Sequence, residues 1–375
     1  MTIGESQKKM LASTTLEANQ TNIITAVTLV IAVFVSGCST TPKLYEISGE
    51  AQGTTYTIKY TCDKLITQLM VDSVLESMDV EMNSWRPDSR ITEVNNFQRI
   101  DTVYTFYDNN KIWSVLWDIT WEINRDSYGA FDPTVMPLVE LWGFGLKNAS
   151  KVETAEVDSI MAFIGFRTDL IDLNEIENDT AYIESHIVKG DPRSRVDFNA
   201  IAQGYTVDML HNLLVENGVE NSMVELGGEV RCQGVNPQGK TWKIAVDKPI
   251  DSGHHDREFQ AIVSVNNASV CTSGNYRKFH EVNGVKRSHS IDPRTGYPVE
   301  HNLLSVTIKA SNAAIADAYA TSCMVLGPEE GRFFIEERIE NAPQYKVDAL
   351  FISGVEDGFE VWASPGWESE ITLLE

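Results

Sequence analysis

The sequence predicts a mixed α/β (α+β) fold, in which mixed β-sheets are covered by helices. Segments with the two-residue period of strands alternate with segments of helical period, in no strict β-α-β order. Neither a GxGxxG nor a Walker sequence occurs, so no Rossmann or P-loop nucleotide site is supported. No repeat or low-complexity stretch interrupts the chain after residue 45, which favours one folded unit of about two lobes.

The first predicted elements are a strand and two helices. Residues 56–60 alternate as a strand does, and 65–78 have helical spacing until the polar segment 83–89 breaks it. A second helix is predicted over 111–125. It carries three tryptophans one turn apart: Trp113, Trp117 and Trp121. Such a stripe is more typical of a core than of a ligand site.

The later elements begin with a strand at 194–198, which leads into a helix at 201–216 that an Asn-Gly pair ends. Strands at 222–226 and 230–233 flank a Gly-Gly pair, which predicts a hairpin. The remaining strand-like segments are 261–265, 303–308 and 349–352.

The charge of the chain limits its partners. With 375 residues and 42% hydrophobic content, the chain can bury one large core or two moderate ones. Its formal net charge of −24 disfavours nucleic acid as a partner, because a nucleic-acid backbone needs a basic footprint. A phosphate-bearing ligand held locally by a metal ion, backbone amides or a few arginines is compatible with that charge.

The N-terminus has the pattern of a lipoprotein signal peptide. An apolar run at 23–35, too short to span a bilayer, closes on small residues and Cys38, and a polar segment follows. This resembles a bacterial lipobox, in which the cysteine is lipidated. We therefore predict a signal peptide at 1–37, a lipidated linker at 38–45 and a folded domain at 46–375. The protein would be lipid-anchored in the bacterial cell envelope, facing the periplasm or the exterior; the alternative is a buried helix that happens to contain a cysteine.

The other cysteines indicate no metal site. Cys62, Cys232, Cys271 and Cys323 match no zinc spacing and include no CxxC pair. After export they could form two disulfides in any of three pairings, but buried free thiols are the favoured state.

The decapeptide 289–298 (HSIDPRTGYP) concentrates polar groups in a restricted backbone. It holds the imidazole of His289, the carboxylate of Asp292 and the guanidinium of Arg294, together with two prolines and a glycine. Rigid loops with such side chains are where sites tend to be built. The alternative is a hairpin turn between strands.

A helix of small side chains carries a second polar pair. Asn312 can cap this helix and Gly327-Pro328 can stop it. An ionised Asp317 within it is costly unless it is paired, and Thr321 lies one turn further on the same face. Two such oxygens suit a hard cation such as Mg²⁺ if other oxygens complete its shell. The alternative is that Asp317 bonds to loop amides or to an arginine.

The junction at 196–208 is a third candidate element. Its small residues Ala200, Ala202 and Gly204 allow a ligand or another backbone to come close. Asp197 lies at the end of the predicted strand, where site residues of α/β proteins often lie. The alternative role of Asp197 is to cap the following helix.

Taken together, these segments resemble the FAD:protein FMN transferases, the ApbE flavin transferases. Eight segments between residues 49 and 327 follow the family's order, a far more specific signal than any one of them. They are 53–54, 84–89, 129–135 with 141–144, 196–208, 225–229, 272–277, 289–298 and 316–321. Bacterial members are often lipoproteins, which agrees with Cys38.

The resemblance implies a role for particular residues. Asp317 and Thr321 would ligate Mg²⁺ together with the backbone carbonyl of Ala200. His289 and Asp292 match the motif beside the FAD pyrophosphate and are the catalytic candidates. The positions that would contact FAD are Trp85, Ala130, Phe131, Asp132, Asp197, Gln203 and Ile291.

Three positions depart from the common family pattern. Gln203 stands where many members carry lysine or glutamate, Trp85 where tyrosine is frequent, and Asn199-Ala200 where Gly-Gly is common. Loss of a charged side chain at 203 is expected to weaken cofactor contacts or to shift the activity.

The function that the resemblance implies is Mg²⁺-dependent flavinylation. FAD is the co-substrate, AMP leaves, and FMN is attached to a threonine or serine hydroxyl of a target protein, expected to be a flavin-bearing subunit of a membrane redox complex. Two alternatives remain: an Mg²⁺-dependent FAD pyrophosphatase that releases FMN and AMP, and a non-catalytic flavin-binding envelope lipoprotein. The intact pair of Asp317 and Thr321 argues against the second.

Overall fold

The structure is a computed structural model that describes residues 43–374 except 109, 145–151, 178–182, 251–257, 276–278, 283–284 and 289. The predicted signal peptide, Cys38 and His289 lie outside the described residues. Leu44–Glu375 form one compact unit.

The elements alternate as the sequence periods predict. Within the described residues, the helices are α1 (Gln68–Met82), α2 (Arg90–Asn96), α3 (Ile112–Asp126), α4 (Met136–Leu141), α5 (Thr154–Met161), α6 (Asn199–Glu216) and α7 (Ala313–Asn341). The strands are β1 (Leu44–Ala51), β2 (Thr54–Thr61), β3 (Tyr104–Tyr107), β4 (Ile171–Glu177), β5 (Ile183–Lys189), β6 (Asn221–Leu226), β7 (Glu229–Gln233), β8 (Trp242–Asp247), β9 (Phe259–Val265), β10 (Ala268–Gly274), β11 (Phe279–Val282), β12 (Val285–Ser288), β13 (Ile291–Asp292), β14 (Tyr297–Pro298), β15 (Leu303–Ala310), β16 (Asp348–Val355), β17 (Gly358–Ala363) and β18 (Ile371–Leu373).

A central sheet organises the fold. In the described part of the chain it has eight strands in the order β1-β2-β6-β7-β10-β15-β16-β17. The mixed α/β class is thereby confirmed, with one correction: the described strand pairs of this sheet all run antiparallel. Tight hairpins such as β6–β7, which turns at Gly227 and Gly228 as predicted, impose this direction on consecutive strands.

Each face of the central sheet is covered differently. The main core lies under helices α6 and α7 and includes Val224, Ile308 and Ala316. On the other face, Val230 and other side chains of β7, β10 and β16 pack against the small sheet of β8, β9 and β18. The sequence pattern of mixed sheets covered by helices is therefore realised as one large sheet with helices on one face and a second sheet on the other.

Helix α3 confirms the predicted tryptophan stripe as a core feature. Trp113 and Trp117 are buried, and Trp113 packs edge-on against Phe198 with ring centroids 5.9 Å apart. Trp121 is 39% exposed but still contacts Phe166, at 5.3 Å between ring centroids. The stripe therefore joins α3 to the segment that precedes α6.

The predicted strand at 194–198 was wrong. No strand is formed at 194–198, and α6 begins directly after it at Asn199. The side chain of Asn95 occupies both backbone groups of Val196: Nδ2 donates to the carbonyl at 2.8 Å, and Oδ1 accepts from the amide at 2.8 Å. The amide of Asp197 donates to the carbonyl of Pro133 at 2.7 Å. Side-chain and loop partners therefore satisfy the backbone groups of Val196 and the amide of Asp197, in place of a neighbouring strand.

Helix α7 is interrupted where the sequence predicts that it stops. Gly327 has φ of 80° and ψ of −175°, and Pro328 begins a further helical segment that ends at Asn341. The imidazole of His301 lies against this kink, with Nε2 2.9 Å from the carbonyl oxygen of Met324.

The described cysteines confirm the expected free thiols. Cys232, Cys271 and Cys323 are buried and Cys62 is half-buried, and none of these four is in a disulfide. Among the helices that the structure describes, none combines the length and the apolar character needed to cross a membrane.

Lys189 is expected to lower the stability of the fold at neutral pH. It is only 1% exposed, and burial together with the positive charge of Arg195 lowers its pKa to about 8. The unfolded chain keeps the ordinary value of about 10.4, so the folded state binds fewer protons and stability rises from pH 8 to 10.5. Lys189→Met should therefore raise the free energy of unfolding at pH 7 by up to about 3 kcal/mol, and by much less at pH 10.5.

Urea unfolding at the two pH values measures this difference. Lys64→Met, at an exposed position, is the matched control and should change little. A less stable Lys189→Met protein at pH 7 would show instead that the contact from Lys189 Nζ to the Asn95 carbonyl, 3.5 Å long, outweighs the burial of the charge.

Candidate active site

The site is built where helices α6 and α7 cross. Gly204 of α6 meets α7 so closely that a Cβ on it would lie 2.4 Å from the carbonyl oxygen of Ala313 and 2.8 Å from the Cβ of Asp317. Its amide donates to Oδ2 of Asp317 at 3.0 Å. The run of small residues in both helices is therefore required by the crossing, and it brings the Asp317 carboxylate to the first turns of α6.

Two of the predicted metal ligands face the same amide. In a regular helix the carbonyl of Ala200 points at the amide of Gly204, four residues later, and this amide also reaches Asp317. The predicted alternative was a bond from Asp317 to loop amides or to an arginine; the amide that Asp317 accepts from belongs to helix α6. Thr321, one turn beyond Asp317, has its hydroxyl oxygen 3.2 Å from that of Ser273 on β10.

The N-terminus of α7 is fixed by Asp208. Its two carboxylate oxygens accept from the amides of Ala313 and Ala314, each at 2.9 Å, and it pairs with Arg231 of β7. Asn312 accepts from the amide of Ile315 at 2.9 Å, as its predicted capping role requires. These contacts set the position of Asp317 one turn further along. Sequence analysis placed Asp208 within a motif but assigned it no role.

Asp317 lies in a negative environment. Burial raises its pKa well above the ordinary range, and the charges of Glu229 and Asp208 act in the same direction, against the hydrogen bond from Gly204. A carboxylate buried near other carboxylates is either protonated or paired with a cation.

The donor set fits a hard cation. Among the residues that the structure describes, no group of three or more His, Cys, Asp or Glu side chains is placed to hold a metal. The predicted metal site requires no such group, because its ligands are the carboxylate of Asp317, the hydroxyl of Thr321 and the carbonyl of Ala200. Such oxygens suit Mg²⁺, which retains several waters in its shell.

The segment 130–135 lies against the start of α6. Ala130 and Phe131 are buried, and Phe131 is held through its backbone, its amide donating to Ser127 Oγ at 3.0 Å. Asp132 accepts from the amides of Thr134 at 2.7 Å and Phe166 at 3.0 Å. Burial raises the pKa of Asp132 in spite of these hydrogen bonds.

Asp197 bonds to the start of α6 from the position before its N-cap residue, Phe198, so it is not itself the cap of the helix. Its Oδ1 accepts from the amide of Asn199 at 2.8 Å, at the first residue of α6, and burial raises its pKa. Through the bond from its own amide to Pro133, it joins the 130–135 segment to the helix that carries Ala200 and Gln203.

The decapeptide forms a hairpin, as its alternative interpretation predicted. Strands β13 and β14 pair Ile291 with Pro298 and Asp292 with Tyr297. Ile291 is buried in a cluster with Leu138 and Trp142. Beside this hairpin lies a cavity of about 250 Å³, which the loop shares with His301 and the end of the first part of α7.

Asp292 is paired within the hairpin. Its Oδ2 lies 2.9 Å from Nη2 of Arg294, and Oδ1 accepts from the Arg294 amide at 2.9 Å. Arg294 also contacts Glu330 at 3.2 Å. His289, the other catalytic candidate, precedes this hairpin but is not among the described residues.

Trp85 and Gln203 complete the predicted contacts with FAD. Trp85 is 66% exposed, and its amide is anchored by Asn83 Oδ1 at 2.9 Å, so its ring is presented to solvent on a short rigid turn. Gln203 is half-buried, and its Nε2 lies 3.2 Å from the point that a Cβ on Gly227 would occupy. The structure thus brings Gln203 to the β6–β7 hairpin.

Glu229 is a further acidic residue near Asp317 to which the sequence analysis gave no role. It begins β7 beside Gly227, and its carboxylate is among the charges that raise the pKa of Asp317. The only sequence signal was its place in the 225–229 motif, which looks like an ordinary hairpin.

Comparisons with known proteins find relatives that match most of this chain. The ApbE family model matches residues 52–345. An FAD:protein FMN transferase of Haemophilus influenzae is 31% identical over 350 residues, covering 91% of this chain and 96% of that protein. One from Vibrio cholerae is 33% identical over 350 residues, covering 91% and 97%. The solved flavin transferase ApbE from Vibrio cholerae superimposes with a TM-score of 0.72 at 31% identity, covering 88% of this chain and 99% of that one.

Proposed function

This chain belongs to the ApbE family and is a flavin transferase, and we propose that it moves FMN from FAD to a threonine or serine hydroxyl of a target protein in an Mg²⁺-dependent reaction. The observation that supports the metal dependence is the buried Asp317 carboxylate, whose Oδ2 accepts from the Gly204 amide at 3.0 Å, on the helix that carries Ala200. Asp317, Thr321 and Ala200 would hold the ion.

The proposed reaction is a phosphoryl substitution. The hydroxyl oxygen of the target forms a bond to the FMN phosphorus, the bond from that phosphorus to the bridging oxygen of the pyrophosphate breaks, and AMP leaves. The hydroxyl proton passes to a base of the enzyme. A bound divalent cation supplies charge neutralisation at the pyrophosphate. No cluster of basic residues is needed for this, which is how a chain of net charge −24 can bind a dianionic cofactor.

The candidates for the base are His289, Asp292 and Asp197. Asp292 must break its ion pair with the guanidinium of Arg294 before its carboxylate can accept a proton. Asp197 has a pKa raised by burial, which makes it a stronger base than an exposed carboxylate. His289 remains a candidate from its place in the motif.

One experiment separates the three candidate functions. The full chain is incubated with FAD, Mg²⁺ and a flavin-bearing subunit of a membrane redox complex that carries its acceptor threonine. Flavin fluorescence on the subunit that survives a denaturing gel, together with AMP release, is the expected result. Equal release of FMN and AMP with no labelled subunit would identify an FAD pyrophosphatase, and no AMP release would identify a flavin-binding protein without activity.

Trp85 is expected to stack on an aromatic ring of FAD. Removal of an exposed stacking ring costs about 1–3 kcal/mol of binding, so Trp85→Ala should weaken FAD affinity by that amount. Trp85→Tyr is the matched control, since it retains an aromatic face and should remain close to the wild type. Titration of FAD followed by flavin fluorescence measures both, and an unchanged affinity of the alanine variant would place FAD elsewhere.

We also propose that Cys38 anchors the enzyme to the cell envelope through acyl chains. Acyl chains supply about 0.8 kcal/mol of membrane affinity per buried CH₂, so Cys38→Ala should release the folded domain from the membrane fraction. Fractionation of cells that express each form tests this. A variant that stays membrane-bound and unprocessed would show that the apolar run at 23–35 anchors the chain by itself, whereas normal processing would rule out a lipobox.

A further inference from the structure

Glu229 has a buried carboxylate oxygen without a donor. The residue is 7% exposed, and its Oε2 has no hydrogen-bond partner among the residues that the structure describes. A buried carboxylate oxygen without a donor is costly, so it calls for an explanation.

The carboxylate of Glu229 faces the same point as Gln203. A Cβ on Gly227 would lie 3.1 Å from Glu229 Oε2, 3.2 Å from Gln203 Nε2 and 3.0 Å from a methyl group of Thr54. Gly227 has φ of 68°, which favours glycine, so this gap between the β6–β7 hairpin and α6 is built into the backbone. Glu229 is therefore directed at the α6 turn that contains Gln203 and Gly204.

Asp317 is bonded to that same turn. Its Oδ2 accepts from Gly204, the neighbour of Gln203, at 3.0 Å. Glu229 and Asp317 thus approach the same turn of α6, where a cation would offset the repulsion between their carboxylates.

We propose that Glu229 is a positioning residue of the cation site, whose carboxylate accepts a hydrogen bond from a water molecule of the ion that Asp317, Thr321 and Ala200 hold. This inference rests on the proposed metal dependence. Mg²⁺ retains several waters, and carboxylates that bind such waters orient the shell and add affinity. The role explains why an acid occupies a hairpin position where a hydrogen-bonded neutral residue would be more stable.

The test measures cation binding without FAD and without turnover. Mn²⁺ binding to the full chain is followed by electron paramagnetic resonance, and Mg²⁺ is used to displace it. Glu229→Gln should weaken Mn²⁺ binding about 10–100-fold, the usual effect of losing an outer partner of a metal site. Glu220→Gln, the same substitution at an exposed position just before β6, should bind as the wild type does. In metal-free buffer, Glu229→Gln should melt no lower than the wild type, which a purely structural role would not allow.

The outcomes separate this inference from the proposed function. Mn²⁺ affinity of Glu229→Gln equal to that of the wild type, with binding lost in Asp317→Ala, overturns the role of Glu229 alone. Absence of specific binding by the wild type overturns the proposed metal site as well. If Glu229→Gln does not fold, Glu229→Asp tests the proposal instead, because its shorter side chain keeps the negative charge but moves the carboxylate away from the cation site. Unchanged Mn²⁺ affinity in Glu229→Asp would also overturn the proposal.

Discussion

Replacing Asp317 by alanine should abolish flavin transfer while leaving the chain folded. The carboxylate is the one charged ligand proposed for the cation, and its loss should lower the rate at least about a thousandfold, equivalent to about 4 kcal/mol of transition-state stabilisation. Stability should change little. The variant loses one hydrogen bond to Gly204 but also a buried charge that Glu229 and Asp208 oppose.

AMP release from FAD and gel fluorescence of the target measure the rate, and urea unfolding measures the stability. Asp63→Ala, at an exposed position, is the matched control and should be fully active. Near-normal AMP release by Asp317→Ala would refute the metal site, and an unfolded variant would show that Asp317 acts through its bond to α6.

Asp208→Ala should be the most destabilising single substitution around the site. The change removes the acceptor for two amides at the start of α7 and leaves Arg231 without its buried partner. Breaking a buried pair in this way costs about 3–5 kcal/mol. Activity should fall as well, because the first turn of α7 fixes the position of Asp317.

Urea unfolding measures the loss, and a second variant identifies its origin. Asp208→Ala combined with Arg231→Met leaves no uncompensated charge, so it should recover part of the lost stability while the helix stays uncapped. No recovery in the double variant would show that the capping contacts account for the whole effect. A loss below about 1 kcal/mol in Asp208→Ala would contradict the buried pair itself.

The site was only partly predictable from the sequence. The motif order indicated flavin transfer and, through the family resemblance, a metal-binding role for Asp317 and Thr321, a role that their spacing on one helix face allowed but did not establish. The structure adds Asp208, Ser273 and Glu229, whose importance lies in contacts with distant segments. It also shows Asp197 and Asp292 in local hydrogen bonds and ion pairs, which their residue types allowed but did not require.

The sequence alone determined the elements whose cause is local. Helical period defined α1, α3 and α6, and a Gly-Gly pair defined the β6–β7 hairpin, because period and turn chemistry act over a few residues. The tertiary structure decided which groups meet: Gly204 and Asp317 are 113 residues apart, and Asp208 and Ala313 are 105 apart. The same reason explains the error at 194–198, where Asn95 takes the backbone bonds of Val196 from 101 residues away. Contacts of this range depend on how the whole chain packs, and no local pattern records them.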